Sequence, residues 1–562
     1  MARMNTVRTN QSGSVALEST GRATTHMGGV GFASDEKSEL FRLGVNHIAN
    51  DKDSFHEKGS SRDVRHASLA ASVALADPTW IAGFYKYLRS DANIRTASIL
   101  GAAAAINARL SNKDAVREDE ILSSQGYRGI NRHLAAELPG RADEPTEFAS
   151  YYMSKYGKMP KALKRGLGDA AQRLWNPYSV MKYDTASHGM RFADLMNLAH
   201  FTLEDSQLAA HVMNRRFGNA EDADQLPSMI KENISLRKDV ANGDVEALLN
   251  PSRLRAAGMT WEDALSLAGP KVDKGKLWSA LITAGMVPIF ATVRNLRNFD
   301  EAGISQEAKE FVHKQLTNPE IIAKSRMFPY RFLSAIEQLS SLTWHSSLET
   351  ATQLATVNVP VLDGETVILV DTSSSMDSPV SSKSKMTLSG LAAFFGGAIA
   401  AKNAGNVRMY IYAGDGWSTN SRGGKVTAPV QVNKGHSILS LAQEMRRRTG
   451  EVGHGTMTGQ AIAETVSPKT KRVIINTDGQ SFAFHGGTPS FNSWGSYAKS
   501  HRDIVGPKVH LYGFDLAGYK NFDIQSGSRD RSHQLGGMTD ATLRWIPAVE
   551  RGYDCNWPWM ED

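Results

Sequence analysis

A change of texture near residue 355 constrains the fold of this chain more than any other feature. From about residue 39 to 354, apolar residues recur at helical spacing in segments parted by short Gly, Pro and Asp breaks. Residues 68–76, 80–88, 94–110, 151–156, 162–175, 192–203, 261–268, 276–286 and 332–342 are the predicted helices. So many short amphipathic helices in a row predict stacked helix pairs, an α-solenoid, although no clean repeat is visible. From 355 to 562 strands and helices alternate. Predicted strands at 366–370, 407–413, 472–476 and 509–514 are interleaved with helices at 388–401, 438–448, 459–465 and 540–549. That alternation predicts an α/β domain, a doubly wound, Rossmann-like parallel sheet covered on both faces. Residues 1–38, rich in Thr, Ser, Gly and Asn without periodicity, are read as a flexible arm. The expected organisation is multidomain: an arm over 1–38, a helical solenoid over 39–354 and an α/β domain over 355–562.

Bulk properties exclude several classes. A net charge of +6 over 562 residues permits an anionic partner without demanding one. The single cysteine, Cys555, allows neither an internal disulfide nor a C-x-x-C zinc site. The first ten residues are polar, and the longest apolar run, about 390–401, is short of a membrane span, so a soluble cytoplasmic protein is expected. Residues 269–277 look briefly like a phosphate loop, but Leu277 stands where a Mg²⁺-binding Ser or Thr is needed. Neither H-E-x-x-H nor G-x-S-x-G occurs. A non-catalytic protein is expected.

The strand at 366–370 runs into Asp371-Thr372-Ser373-Ser374-Ser375-Met376, a D-x-S-x-S loop. In open α/β sheets ligands bind beyond the carboxyl ends of strands, where this loop lies. One carboxylate and two hydroxyls in extended alternation can converge on one point. Hard oxygen donors of low total charge suit Mg²⁺ or another divalent cation. Asp478 follows the strand at 472–476, and Thr456 lies in the loop Gly453-His454-Gly455-Thr456, so both can reach the same rim. A cluster of two carboxylates and three hydroxyls is a poor match to a two-metal nuclease.

These residues resemble the metal-ion-dependent adhesion site of von Willebrand factor A modules. The resemblance implies direct ligation by Ser373, Ser375 and Thr456, with Asp371 and Asp478 acting mostly through water. It also implies an open coordination position that a partner's acidic side chain can fill. Upstream, an ordered set of segments is similar to the TROVE module of the Ro RNA-binding protein family. The set comprises Asn93-Ile94-Arg95-Thr96, Met159-Pro160-Lys161-Ala162-Leu163-Lys164-Arg165, and residues 191–200, 286–296 and 329–335. The Ro resemblance implies a monomeric ring of HEAT-like repeats touched at both ends by the A-type module. It implies binding of small structured non-coding (Y-like) RNAs outside and of single-stranded 3′ ends of defective RNAs inside. It further implies a role in RNA quality control or degradation, with a 3′ exoribonuclease as a partner. The alternative is a metal-dependent adhesion scaffold that recruits an acidic protein.

Lys161, Lys164 and Arg165 fall on one helical face, which is either a phosphate-binding stripe or a solvated surface. Arg95, His200 and Arg294 are further RNA-contact candidates, with Arg297 and Arg331 beside them; Arg331 is expected to be structural and His200 to cap a helix or touch RNA. Phe192 stands where the family's eukaryotic members carry a histidine implicated in binding Y RNA. Phe192 could stack on a base but cannot donate a hydrogen bond.

Overall fold

The computed structural model describes residues 17–559 apart from 47–55, 187–188, 219–224, 271, 326, 328, 357–358, 381–385, 415–423, 485–498, 528–530, 537–542, 544, 551–556 and 558. Cys555 lies outside the described residues.

The described residues between 36 and 355 are mainly helical, and the helices pack in chain order. Each principal helix–helix contact joins elements no more than three places apart along the sequence, for example Gly59–Ala76 on Thr96–Leu110, Ile130–Glu137 on Lys161–Leu174, and Gln306–Thr317 on His345–Ala355. This is the contact pattern of a solenoid. The reading of 261–268 matches the helix Trp261–Ala268, and Thr96–Leu110 and Lys161–Leu174 lie within two residues of their predicted bounds. The helix expected over 192–203 stops at Ala199 because His200 turns left-handed at φ 58°. Helices such as Ser206–Phe217, Ser228–Ala241 and Gln306–Thr317 were not predicted; their wide polar faces hide the apolar stripe.

Among its described residues the second half forms a six-stranded sheet. Its strands are β3 (Glu365–Asp371), β4 (Val407–Tyr412), β5 (Thr427–Val430), β6 (Thr470–Thr477), β7 (His510–Asp515) and β8 (Ser532–Gly536), in the order β5-β4-β3-β6-β7-β8. All pairings are parallel except β4 with β5, so the expected parallel sheet carries an antiparallel edge strand. The edges β5 and β8 are short and partly polar, which is why no strand was expected there. Alternate residues of β3 enter two different cores. Ile368 and Val370 pack with the helix Leu388–Lys402, while Val367 and Leu369 pack with Ala461, Ile462 and Val505. The sheet is therefore covered on both faces, as near-continuous apolar strands require. Gly396 lets Leu388–Lys402 lie close, since a Cβ there would stand 2.7 Å from Val370 Cγ2.

The reading of 1–38 as a flexible arm is corrected from residue 19 onward. Strands β1 (Ser19–Thr24) and β2 (Val30–Ser34) form an antiparallel hairpin, and a helix follows over Glu36–Asn46. The hairpin docks on loops of the sheet domain, Phe32 N–H donating to the Phe522 carbonyl at 2.8 Å and Gly29 N–H to that of Ser481 at 3.1 Å. Backbone pairing of this kind needs no side-chain alternation, so it left no pattern in the sequence.

Both ends of the helical array meet the sheet domain. At the first, Arg42 forms a fully buried ion pair with Asp515 at 2.9 Å and donates to the Lys520 carbonyl. At the other, Ser437 donates to Glu349 and Arg446 pairs with Glu337. Trp557 and Trp559 then return to pack on Phe41, Trp80 and Phe84 of the first helices. The chain of contacts is thus closed into a cycle through the sheet. No helix among the described residues is long and apolar enough to cross a membrane.

Candidate metal centre and nucleic-acid surface

The strand order reverses between β3 and β6, and the D-x-S-x-S loop and Asp478 sit at the carboxyl ends of those two strands. Asp371 ends β3 and is fully buried. Its Oδ1 accepts from Ser373 N–H at 2.9 Å, and its Oδ2 accepts from Thr477 Oγ1 at 2.6 Å and Tyr412 OH at 3.4 Å. Those bonds turn Asp371 into a support behind the centre. Ser373 and Ser375 place their hydroxyl oxygens 3.3 Å apart. Adjacent ligands on an octahedral ion with bonds of about 2.1 Å are about 3 Å apart, so the pair is spaced for one cation. Asp478 Oδ1 accepts from Gln480 N–H at 3.2 Å, whereas its Oδ2 is buried with no hydrogen-bond partner. Thr456 is held beside them, its carbonyl accepting from Phe482 N–H at 2.9 Å, while the neighbouring His454 carbonyl accepts from Ser374 N–H at 2.8 Å. All five sequence-derived metal candidates therefore lie at one rim, each no more than 5% exposed.

The electrostatics fit a missing positive charge. Burial, and then the neighbouring Asp371, push the Asp478 carboxyl up to about 8. Burial pushes Asp371 up to about 6, with Asp523 adding to it. Among the described residues no group of three or more His, Cys, Asp and Glu side chains is disposed to hold a metal. The donor set is hydroxyl-rich instead, with an unsatisfied carboxylate oxygen that a cation would satisfy. A divalent cation here would be held by Ser373, Ser375, Thr456 and Asp478, with Asp371 orienting Ser373. Without divalent cations the protein is expected to lose stability as pH rises from about 4 toward 8. The unfolded carboxyls ionise near 3.8, while in the fold Asp371 and Asp478 keep their protons to about 6 and about 8. Added metal should offset that loss, raising the melting temperature more at pH 8 than at pH 5. Melting curves with EDTA and with Mg²⁺ check this, and equal metal shifts at both pH values would remove these carboxylates from the centre.

Several neighbours had no signal in the sequence. Asp523 is fully buried behind the site, its Oδ2 accepting from His501 Nε2 at 2.9 Å. His56, from the stretch before the helix Gly59–Ala76, points Nε2 at Asp478 Oδ2 from 4.0 Å. Burial, with His26 alongside, lowers its pKa to about 4, so the ring is neutral.

The RNA-contact candidates do not form one patch. Lys161 and Arg165 are exposed and Lys164 half-buried on the first turns of the helix Lys161–Leu174, and among the described residues none of the three has an acidic partner. Arg95 instead faces Asp143 at 3.6 Å and Glu147 at 3.5 Å, beside a cavity lined also by Arg141, Tyr151 and Met190. His200 is the left-handed cap of its helix and is exposed. Arg294, on the distant helix Ile289–Ala302, is exposed and lies over the Phe290 ring. Arg297 pairs with Glu301, and Arg331 stacks on Tyr330 with its Nε buried. The reading of Phe192 as a base-stacking surface is corrected. Its ring is 1% exposed and lies parallel to Trp175 at 4.1 Å, inside the core.

The TROVE domain family matches residues 235–387. That segment of the chain is similar to a TROVE domain. The match runs from the helix Ser228–Ala241 through Arg294 and past the Asp371–Ser375 loop, so it crosses the boundary that sequence texture places near 355. Similar curated proteins include the telomerase protein component 1 of Mus musculus and that of Rattus norvegicus, each 40% identical over 83 residues. Those residues are 15% of this chain and only 3% of either relative's length. Among solved structures, the Ro (Rsr) protein of Deinococcus radiodurans superposes with a TM-score of 0.56, covering 91% of this chain and 99% of that one at 15% identity. The matched segment is thus set in a fold similar to that of the Ro protein.

Proposed function

We propose that this protein binds RNA without cleaving it, taking small structured non-coding RNAs of the Y type and single-stranded 3′ ends of defective RNAs. The observation that carries this reading is the trio Lys161, Lys164 and Arg165. A helix N-terminus carries positive dipole charge and disfavours cations. Three cations in its first turns, without acidic partners among the described residues, cost stability unless they meet an anion such as phosphate. Many other arginines here, such as Arg132, Arg191 and Arg253, are paired with carboxylates and serve the fold. The TROVE match and the Ro-type fold support the same reading. In this reading the centre at Asp478 holds Mg²⁺ or another divalent cation and braces the closed chain. A 3′ exoribonuclease is the partner that would consume RNA held in this way.

Gel shifts with a hairpin RNA bearing a single-stranded 3′ tail test the proposal. Binding at nanomolar to micromolar strength that weakens steeply with salt is expected, with the RNA recovered intact in Mg²⁺. Absence of a shift at low ionic strength would leave the scaffold reading instead. RNA products that vanish with EDTA would make the protein a nuclease.

A further inference from the structure

His56 belongs to the helical half, yet its ring faces the metal centre of the sheet domain. Its side chain is 8% exposed, and its Nε2 stands 4.0 Å from the unpartnered Asp478 Oδ2. That gap is too long for a hydrogen bond, whose donor and acceptor lie about 2.7–3.2 Å apart. It matches two metal bonds of about 2.0–2.1 Å laid end to end across one ion. The ring is also held in place. His26 stacks on it at 5.2 Å and 6°, and Tyr519 stands edge-on to both at 5.8 and 5.4 Å. The backbone of His26 is itself pinned, its main-chain N–H donating to Gln480 Oε1 at 2.8 Å, two residues beyond Asp478.

We propose that His56 Nε2 is a protein ligand of the divalent cation at Asp478, Ser373, Ser375 and Thr456. The cation then cross-links the helical half to the sheet domain, and the position a partner's carboxylate would need is taken from within. An imidazole donor also shifts preference from Mg²⁺ toward Mn²⁺ and other first-row transition ions. The inference rests on the metal-centre reading above, and the experiment separates the two.

Full-length protein stripped of metal is titrated with Mn²⁺, the loss of the free-ion EPR signal reporting binding. Pulsed EPR of the bound ion then reports nitrogen coupling. Stoichiometric binding with an imidazole ¹⁴N signal that changes on ¹⁵N-histidine labelling is the expected result. His56→Gln should abolish that signal and weaken binding by about 10–100-fold or more, while His26→Gln should retain it. Should His56→Gln fail to fold, the labelling result on the unaltered chain still decides. Mn²⁺ bound with no nitrogen coupling would overturn the role of His56 and leave the centre standing. No Mn²⁺ binding at all would overturn the centre, and the inference with it.

Discussion

Arg42→Met is expected to lower the unfolding free energy by about 3–5 kcal/mol. The guanidinium and the Asp515 carboxylate are both fully buried, and removing one leaves the other's charge without compensation. Asp515 Oδ1 also accepts the N–H groups of Ala517 and Gly518, so the loop after β7 is shaped around this carboxylate. The pair lies where the first helix meets the sheet. Its loss should therefore open the cycle of contacts as well as weaken a core. Urea unfolding of the variant measures the first effect, and faster overall limited proteolysis reports the second. The double variant Arg42→Met, Asp515→Asn should recover part of the loss, because it removes the stranded charge. A single variant within 1 kcal/mol of the parent would show that the pair is not a lock.

Reversing three charges, Lys161→Glu, Lys164→Glu and Arg165→Glu, should weaken RNA binding on the order of 100-fold at moderate salt. The slope of log affinity against log salt should shrink by about two, from three lost contacts at about 0.7 each for single strands. The fold should not suffer. Acidic residues are favoured in the first turn of a helix, by about 0.3–1 kcal/mol each, and Leu163 and Leu167 keep their buried positions beneath. Loss of binding without loss of melting temperature is thus the signature of a contact surface. Unchanged affinity would take these residues out of it and direct attention to Arg294.

The rim that gathers Asp371, Ser373, Ser375, Thr456 and Asp478 was the most legible part of the sequence. An apolar strand delivering an acid and alternating serines leaves little freedom, because the strand's burial fixes which end of the sheet the loop occupies. Asp478 and Thr456 followed from the same logic. His56 could not be foreseen, since it reaches the site from more than 300 residues earlier in the sequence through the docking of one half on the other. The hairpin at 19–34 escaped for a related reason, as its partners are backbone groups of Ser481 and Phe522. Phe192 was misjudged because its neighbour Trp175 caps the end of a different helix, Lys161–Leu174, and only packing reveals that the two rings face each other. The basic stripe stood out, but Arg95 and Arg297 carried the same sequence signal and turned out to be paired. Charge alone does not separate a surface that meets phosphate from one that meets glutamate.

The tryptophans that come back onto the opening helices set a timetable for biosynthesis. Trp559 leans on Phe84, and a Cβ at Gly83 would stand 2.1 Å from its Cδ1. Roughly 470 residues separate them along the polypeptide, so at about 5–20 residues per second the ribosome needs on the order of half a minute to a minute and a half before the second surface exists. Throughout that interval Phe41, Trp80 and Phe84 present an unfinished aromatic face to the cell, and chaperones or a nascent neighbour are the only cover it can find.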